Sequence, residues 1–319
     1  MTAPFIIALA AGALSAVTWL ALLAPTPLTV AMFLLSSTPL FMVGLAFGVT
    51  ASLIAAAAGF ALAALFAGPA GALFYLGATA AAPLLLTPLA LISRPAAGGA
   101  EGEAADDAGR EWYPEGRLLL WTAALAGALI SLMLLSLGPD HAAITRQLHE
   151  MAGQVIARLG VQGDAARLKD FLAAAAPLFA TIMWMLATLV SLWIAAKLVT
   201  AFGYRIRPFA PFARLAFHPR ALLALAIAAG VSLLPGVIGL IGGIFATAFT
   251  TAFAILGLAV LHALTEGKPW RAAFLAIVYV GLFAVNWLLA LPLALIGMAE
   301  TAFGLRRRFG AAGGPPMKT

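Results

Sequence analysis

The sequence predicts an all-α protein, a polytopic integral membrane helical bundle with eight to ten transmembrane helices. Three observations predict it. The 319 residues are 64% hydrophobic and only 9% charged, where a soluble domain carries about 45–50% and about 25%. Apolar runs of 17 or more residues recur along the chain, each long enough to cross a hydrocarbon core of roughly 30 Å at about 1.5 Å per residue. The first 92 residues contain no Asp, Glu, Lys, Arg or His. These runs do not alternate in polarity, which argues against a membrane β-barrel built of strands of about ten residues.

Residues 1–92 predict an N-terminal bundle of about four membrane helices: Ala3–Leu23, Leu28–Phe47, Val49–Phe66 and Ala70–Ile92. Pro25-Thr26-Pro27, Gly48 and Gly68-Pro69 punctuate them. The first segment lacks a basic leader and is followed by further apolar runs, so it reads as a membrane helix rather than a cleaved signal. The Gly48 junction has no polar loop, and a tight hairpin, a discontinuous helix and two ordinary spans all remain open there. Residues 93–116 turn to Gly, Ala and acidic side chains, with little to bury, and predict a flexible cytoplasmic loop, disordered over 94–110.

Residues 117–309 predict the C-terminal membrane helices. A fifth helix covers Leu118–Leu137. An extracytoplasmic amphipathic helix at 142–159 carries Ile144, Leu148, Met151, Val155 and Leu159 on its apolar side. Asp164 would cap a helix running into a sixth span, Ala174–Ala196. Residues 221–263 are too long for one span and break at Pro235-Gly236 or within Gly239 to Gly243. The run Ala272–Met298 either crosses once or folds back near Asn286 to Pro292. Residues 310–319 read as a disordered tail.

Charge decides the orientation. With four early spans and a cytoplasmic N-terminus, ten Lys and Arg fall inside and four outside. If the last run folds back, the tail brings the count to fourteen against four. The positive-inside rule therefore favours a bacterial cytoplasmic (inner) membrane protein with both termini cytoplasmic. Trp112, Tyr113 and Arg117, with Arg205, Arg207, Arg306, Arg307 and Arg308, read as interface anchors. A net charge of +6 placed beside membrane segments points to the lipid bilayer as partner and away from nucleic acid.

The most distinctive stretch is Ser36 to Gly59, where three hydroxyl residues and Pro39 interrupt an apolar run. Polar atoms at membrane depth must face protein or a water-filled cavity. Ser36, Ser37, Thr38, Tyr75, Thr79, Asn286 and Trp287 are therefore candidates for the wall of a cavity that holds a small, mostly uncharged molecule; hydroxyls bonded to their own helix carbonyls or across helices are the alternative. The spacings Ala8, Gly12, Ala16; Gly44, Gly48; and Gly239, Gly243 permit close helix contact, within the chain or with another membrane subunit. The sequence has no Cys, and metalloprotease, nucleophile-elbow and Walker motifs are lacking. His141 and His149 point about 80° apart on a helix, unsuited to a metal pair, and His262 with Glu266 reads as a local polar pair. No catalytic residue, metal or cofactor is expected, and the protein is not read as an enzyme.

Three stretches resemble the YybS-like family of bacterial multi-pass membrane proteins: Ser37-Thr38-Pro39-Leu40 leading through Gly44 to Gly48, Gly257-Leu258-Ala259-Val260, and the ending LIGMAETAFGLRRRF. That family usually has Asp at the position of Glu300. Its first half is similar to the substrate-binding S subunits of energy-coupling-factor transporters and, more remotely, to rod-shape proteins of the MreD type. The resemblance implies a small-molecule-binding or transport-related subunit without its own ATPase, or alternatively a non-transporting scaffold of the cell envelope. By that analogy, Ala8, Gly12 and Ala16 become candidates for docking a coupling partner.

Overall fold

The computed structural model describes residues 2–24, 26–95, 110–160, 165–204, 207–285 and 287–309. The protein is an all-α membrane protein with two compact units. Met1–Thr122 and Trp184–Phe209 form one, and Ala123–Met183 and Ala210–Thr319 form the other. Six segments are long and apolar enough to cross a membrane: Ala3–Leu23, Pro27–Phe47, Val49–Leu91, Glu115–Leu135, Ala165–Ala201 and Gly236–Leu264. Arg220–Ser232, Arg271–Leu282 and Leu289–Phe303 are shorter apolar helices.

In the first unit, helix α1 (Thr2–Leu20) ends in a 3-10 turn, Ala21–Leu23. Helix α2 (Pro27–Leu34) opens on a capping box in which the Thr26 hydroxyl accepts from Thr29 N–H and the Thr29 hydroxyl accepts from Thr26 N–H. Helix α3 (Thr38–Phe47) follows after a break at 35–37. Pro39 has no N–H to return to the Leu35 carbonyl, which takes Thr38 N–H at 3.0 Å instead.

Gly48 then joins α3 to α4 (Val49–Tyr75) with φ 88° and ψ −178°, a conformation open only to glycine. The turn is a tight hairpin: a Cβ on Gly44 would lie 3.1 Å from Ser52 Cβ, eight residues on. A continuous helix would hold those residues about 12 Å apart. Gly68 repeats the device within α4, at φ 72° and ψ −179°, with Pro69 behind it. There, Gly59 meets the ring of Tyr75, so α4 doubles back on itself. A π-helical turn, Leu76–Ala80, leads into α5 (Ala81–Leu91).

The core of this unit is mostly alanine, with Ala8, Ala51, Ala55, Ala56, Ala63, Ala72 and Ala80 around Tyr75 and Trp19. Small side chains suit a bilayer, where helices associate by close packing rather than by escape from water. The predicted loop begins and ends in a short antiparallel pair, β1 (Ser93–Pro95) and β2 (Arg110–Trp112), in register Arg94 opposite Glu111. The expected disorder of the loop otherwise falls on residues 96–109, outside the described residues, as do Asp164 and the 310–319 tail.

Helices α6 (Glu115–Leu135) and α8 (Ala165–Ala201) contribute residues to both units. In the second unit, α7 (His141–Leu159) starts on Asp140, whose carboxylate accepts Ala143 N–H at 2.8 Å. Its buried ridge is Ile144, Ala152 and Ile156, while Met151 and Val155 stay exposed. Ile144 and Leu148 of the expected face do pack, in a cluster with Leu134 and Ile244, and only the second half of the helix presents a different ridge. His149 Nε2 meets Asp170 Oδ1 at 3.1 Å.

Helix α9 (Arg220–Ser232) and α10 (Gly236–Leu264) form a hairpin in which Gly239 and Gly242 lie against the backbone of residues 231–234. The break therefore falls at Pro235-Gly236. Helix α11 (Arg271–Val285) is followed by α12 (Trp287–Phe303) and a short α13 (Leu305–Phe309). Gly281 lies against the side chain of Leu289, eight residues on, so the chain folds back between α11 and α12. Gly257 and Gly297 bring α10 and α12 into backbone contact.

Candidate functional site

Four hydroxyl groups from three apolar segments meet inside the first unit. Ser15, on α1, donates to the Ser36 carbonyl at 2.7 Å, and its oxygen lies 2.9 Å from Tyr75 Oη. Ser36 Oγ lies 3.0 Å from Thr79 Oγ1. All four residues are buried, Ser15 and Tyr75 completely. Ser15 and Ser36 fall near the middles of Ala3–Leu23 and Pro27–Phe47, so the cluster sits far from the ends of those segments. The broken helix makes this possible: the turn at 35–37 releases the Ser36 carbonyl to a neighbouring helix.

The π turn adds a further link. In an i→i+5 ladder the partner of the Ala78 carbonyl is the N–H of residue 83, which is proline. Trp184 Nε1, on α8, donates to Ala78 O at 2.9 Å. Ser191 Oγ similarly approaches Leu34 O at 3.4 Å.

Above the hydroxyls lies an aromatic group. Trp19 packs edge-on to Tyr75 at 5.7 Å and against Phe74 at 6.0 Å, and Phe74 stacks on Phe33 at 6.5 Å. Trp19 is 5% exposed, yet its indole N–H has no partner among the described residues. Thr38 Oγ1, Ser52 Oγ and Thr87 Oγ1 are likewise buried without one.

The structure thus brings together Ser36, Tyr75 and Thr79 of the expected set, with Ser37 buried beside them and Thr38 half-buried at the start of α3. Asn286 and the Trp287 side chain lie outside the described residues. Ser15 and Trp184 were not anticipated. Their signal was a polar or indole side chain at mid-span, where a membrane helix needs a reason to carry one.

Ala8 and Ala16 are wholly buried, and a Cβ on Gly12 would run into the Ala55 carbonyl. This stripe binds α1 to α4, so it faces the interior of the unit and not a docking surface. Gly44 is likewise packed inward against Thr87.

Two of the expected interface anchors are clamps instead. Arg207 donates from Nη1 to Ala90 O at 2.9 Å, and from Nη2 to Tyr113 O at 2.7 Å and Glu115 Oε1 at 2.6 Å, with its side chain 1% exposed. Arg306 pairs with Glu300 at 2.9 Å and donates to the carbonyls of Ala213 and Leu215. A guanidinium buried this deeply is shaped by its fork of donors rather than by headgroups. Arg117 lies over the Tyr113 ring at 5.8 Å, Tyr113 Oη accepts from Trp121, and Trp112 is half-buried. Arg307 and Arg308 are exposed; Arg205 lies outside the described residues. His262 bonds Tyr279 Oη at 3.0 Å, on α11, rather than Glu266.

Chemically, the hydroxyl cluster offers neutral donors and acceptors in an apolar setting. Among the described residues, no group of three or more His, Asp or Glu is placed to hold a metal ion.

A family model described as "Predicted membrane protein (DUF2232)" matches residues 118–301, more than half of the chain. No curated protein and no solved structure matches the chain. The matched stretch runs from α6 into α12, and the hydroxyl cluster on α1 to α5 lies ahead of it.

Proposed function

Because the chain belongs to the DUF2232 family of predicted membrane proteins, we propose that it is a multi-pass membrane subunit that binds an uncharged small molecule at the hydroxyl cluster, in a transport-related role and without an ATPase of its own. The observation that carries this reading is the indole N–H of Trp19, buried, unpaired among the described residues, and edge-on to a tyrosine whose hydroxyl Ser15 holds. A buried donor without an acceptor is costly at membrane depth. A ligand acceptor stacked among Trp19, Phe33 and Phe74 would satisfy it.

The test uses purified full-length protein, native mass spectrometry and thermal shift across a panel of vitamins and metabolites. A retained ligand, or a shift that Trp19→Phe abolishes while the melting point of the empty protein is unchanged, supports the reading. Absence of both a retained ligand and a thermal shift in the wild type overturns it.

A second reading, an envelope scaffold of the MreD kind, is favoured by the pairing of Ser15 with Tyr75 and of Ser36 with Thr79. Hydroxyls that satisfy one another lock helices and need no guest. In that case, crosslinking in cells recovers a membrane partner and the isolated protein carries no ligand.

The same proposal includes eight to ten crossings and a bacterial inner membrane, with both termini cytoplasmic. Supporting it, the break between α1 and α2 and the reversals at Gly48 and Gly68 divide residues 2–91 into four apolar segments. The reversal between α11 and α12 returns the basic Arg306–Arg308 end to the side where α11 begins, in keeping with fourteen cations against four. The likeness to YybS-like proteins and to transporter S subunits belongs to this proposal also.

A further inference from the structure

We propose that one end of the second unit is a binding surface for anionic phospholipid headgroups, selective for them over zwitterionic ones. It is independent of the hydroxyl cluster, which lies in the first unit.

The packing of α10 on α12 assembles this end. A Cβ on Gly257 would run into Leu293 O, and one on Gly297 into Phe253 O. Such reciprocal contact belongs to parallel helices level at the two glycines. Leu264 and Phe303, seven and six residues further on, therefore end at the same height. Phe212 stands edge-on to His262 at 5.5 Å, and Arg306 holds the carbonyls of Ala213 and Leu215. A turn at 265–270 then leads from α10 to Arg271, the first residue of α11. Three stretches, 212–215, 262–271 and 300–309, thus meet.

They bring five cations to one surface. Arg214, Lys268, Arg307 and Arg308 are exposed, and Arg271 is half-buried. After Asp170 the sequence has only two acids, Glu266 and Glu300, and Glu300 is taken up by Arg306. In the first unit, by contrast, Arg94 pairs with Glu111 and Arg207 with Glu115. None of the five has an ion-pair partner among the described residues. Five cations are left to one carboxylate.

Phe212, Trp270, Phe303 and Phe309 stand exposed among them, by 43% to 73%. This mixture decides between an acidic protein segment and a lipid surface. Rings at the ends of apolar helices lie at the headgroup boundary of a bilayer, and the cations beside them meet its phosphates. A zwitterionic headgroup carries an ammonium that five cations repel. An anionic one does not, which gives the selectivity.

The test reconstitutes the full-length protein in nanodiscs of equal phosphatidylglycerol and phosphatidylethanolamine, extracts it into detergent, and counts retained lipids by mass spectrometry. The variant is Lys268→Gln with Arg307→Gln and Arg308→Gln; the control is Arg146→Gln with Arg158→Gln, two exposed cations of α7. Melting points are measured alongside, and should the triple variant melt lower, the Arg307→Gln, Arg308→Gln pair carries the comparison. Phosphatidylglycerol should be enriched several-fold on wild type and control, with the enrichment lost in the variant. Equal enrichment in wild type and variant, an equal loss in the control, or no enrichment on the wild type overturns the proposal. Variant-sensitive binding of a polyglutamate peptide, without lipid enrichment, overturns it in favour of an acidic protein segment.

Discussion

Gly59 lies against the phenol ring of Tyr75, sixteen residues further along the same helix, with the position of an added Cβ only 2.6 Å from Tyr75 Cζ. A straight helix would separate these residues by about 24 Å. The contact exists because α4 reverses at Gly68, and it sets the ring so that its hydroxyl reaches Ser15. Gly59→Ala must therefore displace the ring. Overpacking of this kind costs about 1–3 kcal/mol, so the melting point of the detergent-solubilised protein should fall. Gly230→Ala, where nothing lies within 4 Å of the added Cβ, should leave it unchanged or raise it.

Ser15 holds two partners at once. Ser15→Ala and Tyr75→Phe should each destabilise the fold, and the double variant should lose less than their sum. Hydrogen bonds between membrane helices contribute about 0.6 kcal/mol on average and up to about 1.7 kcal/mol. A coupling of that size in a double-mutant cycle confirms the bond, and strict additivity contradicts it.

Gly48 and Gly68 owe their places to the backbone alone, since neither has an atom within 4 Å of an added Cβ. With φ 88° and 72° and ψ near 180°, each Ala substitution should cost about 1–3 kcal/mol in strain. Filling space is not the problem there, so a larger residue should cost little more than Ala. A steep dependence on side-chain size, measured by thermal melting, would contradict this.

Arg207 and Glu115 are unequally buried, with side-chain exposures of 1% and 30%. Removing the carboxylate strands a buried guanidinium, while removing the guanidinium leaves a carboxylate that reaches water. Glu115→Gln should thus destabilise by about 3 kcal/mol, toward the lower end of the range for broken buried pairs. Arg207→Met with Glu115→Leu should recover part of that loss in a melting experiment.

The absence of Cys from the sequence allows single-cysteine mapping. Thr26→Cys should react with a membrane-impermeant maleimide added to intact spheroplasts, and Ser93→Cys only after lysis. Labelling of both in intact spheroplasts would contradict an odd number of crossings between them.

Much of the architecture was legible in the sequence because it follows from solvent. An apolar run must either be buried or lie in lipid, and glycine and proline mark where such a run can turn. The breaks at Ser36–Pro39, Gly48, Gly68 and Pro235 fall where those residues stand, and the membrane class follows from a 9% charged chain. Ser36, Tyr75 and Thr79 could be singled out as polar residues at depth for the same reason. Which atoms they would meet was decided only by the tertiary structure. Ser15 reaches Ser36 across 21 residues of chain, and Trp184 reaches the Ala78 carbonyl across 106, pairings set by the relative rotation of helices that share almost the same composition. The same holds for charge. Position along the chain marks Arg207 and Arg306 as residues of a membrane edge. Whether such a guanidinium faces lipid headgroups or closes over carbonyls depends on whether a helix end leaves acceptors within reach, and only the folded chain brings Ala90, Tyr113, Ala213 and Leu215 there.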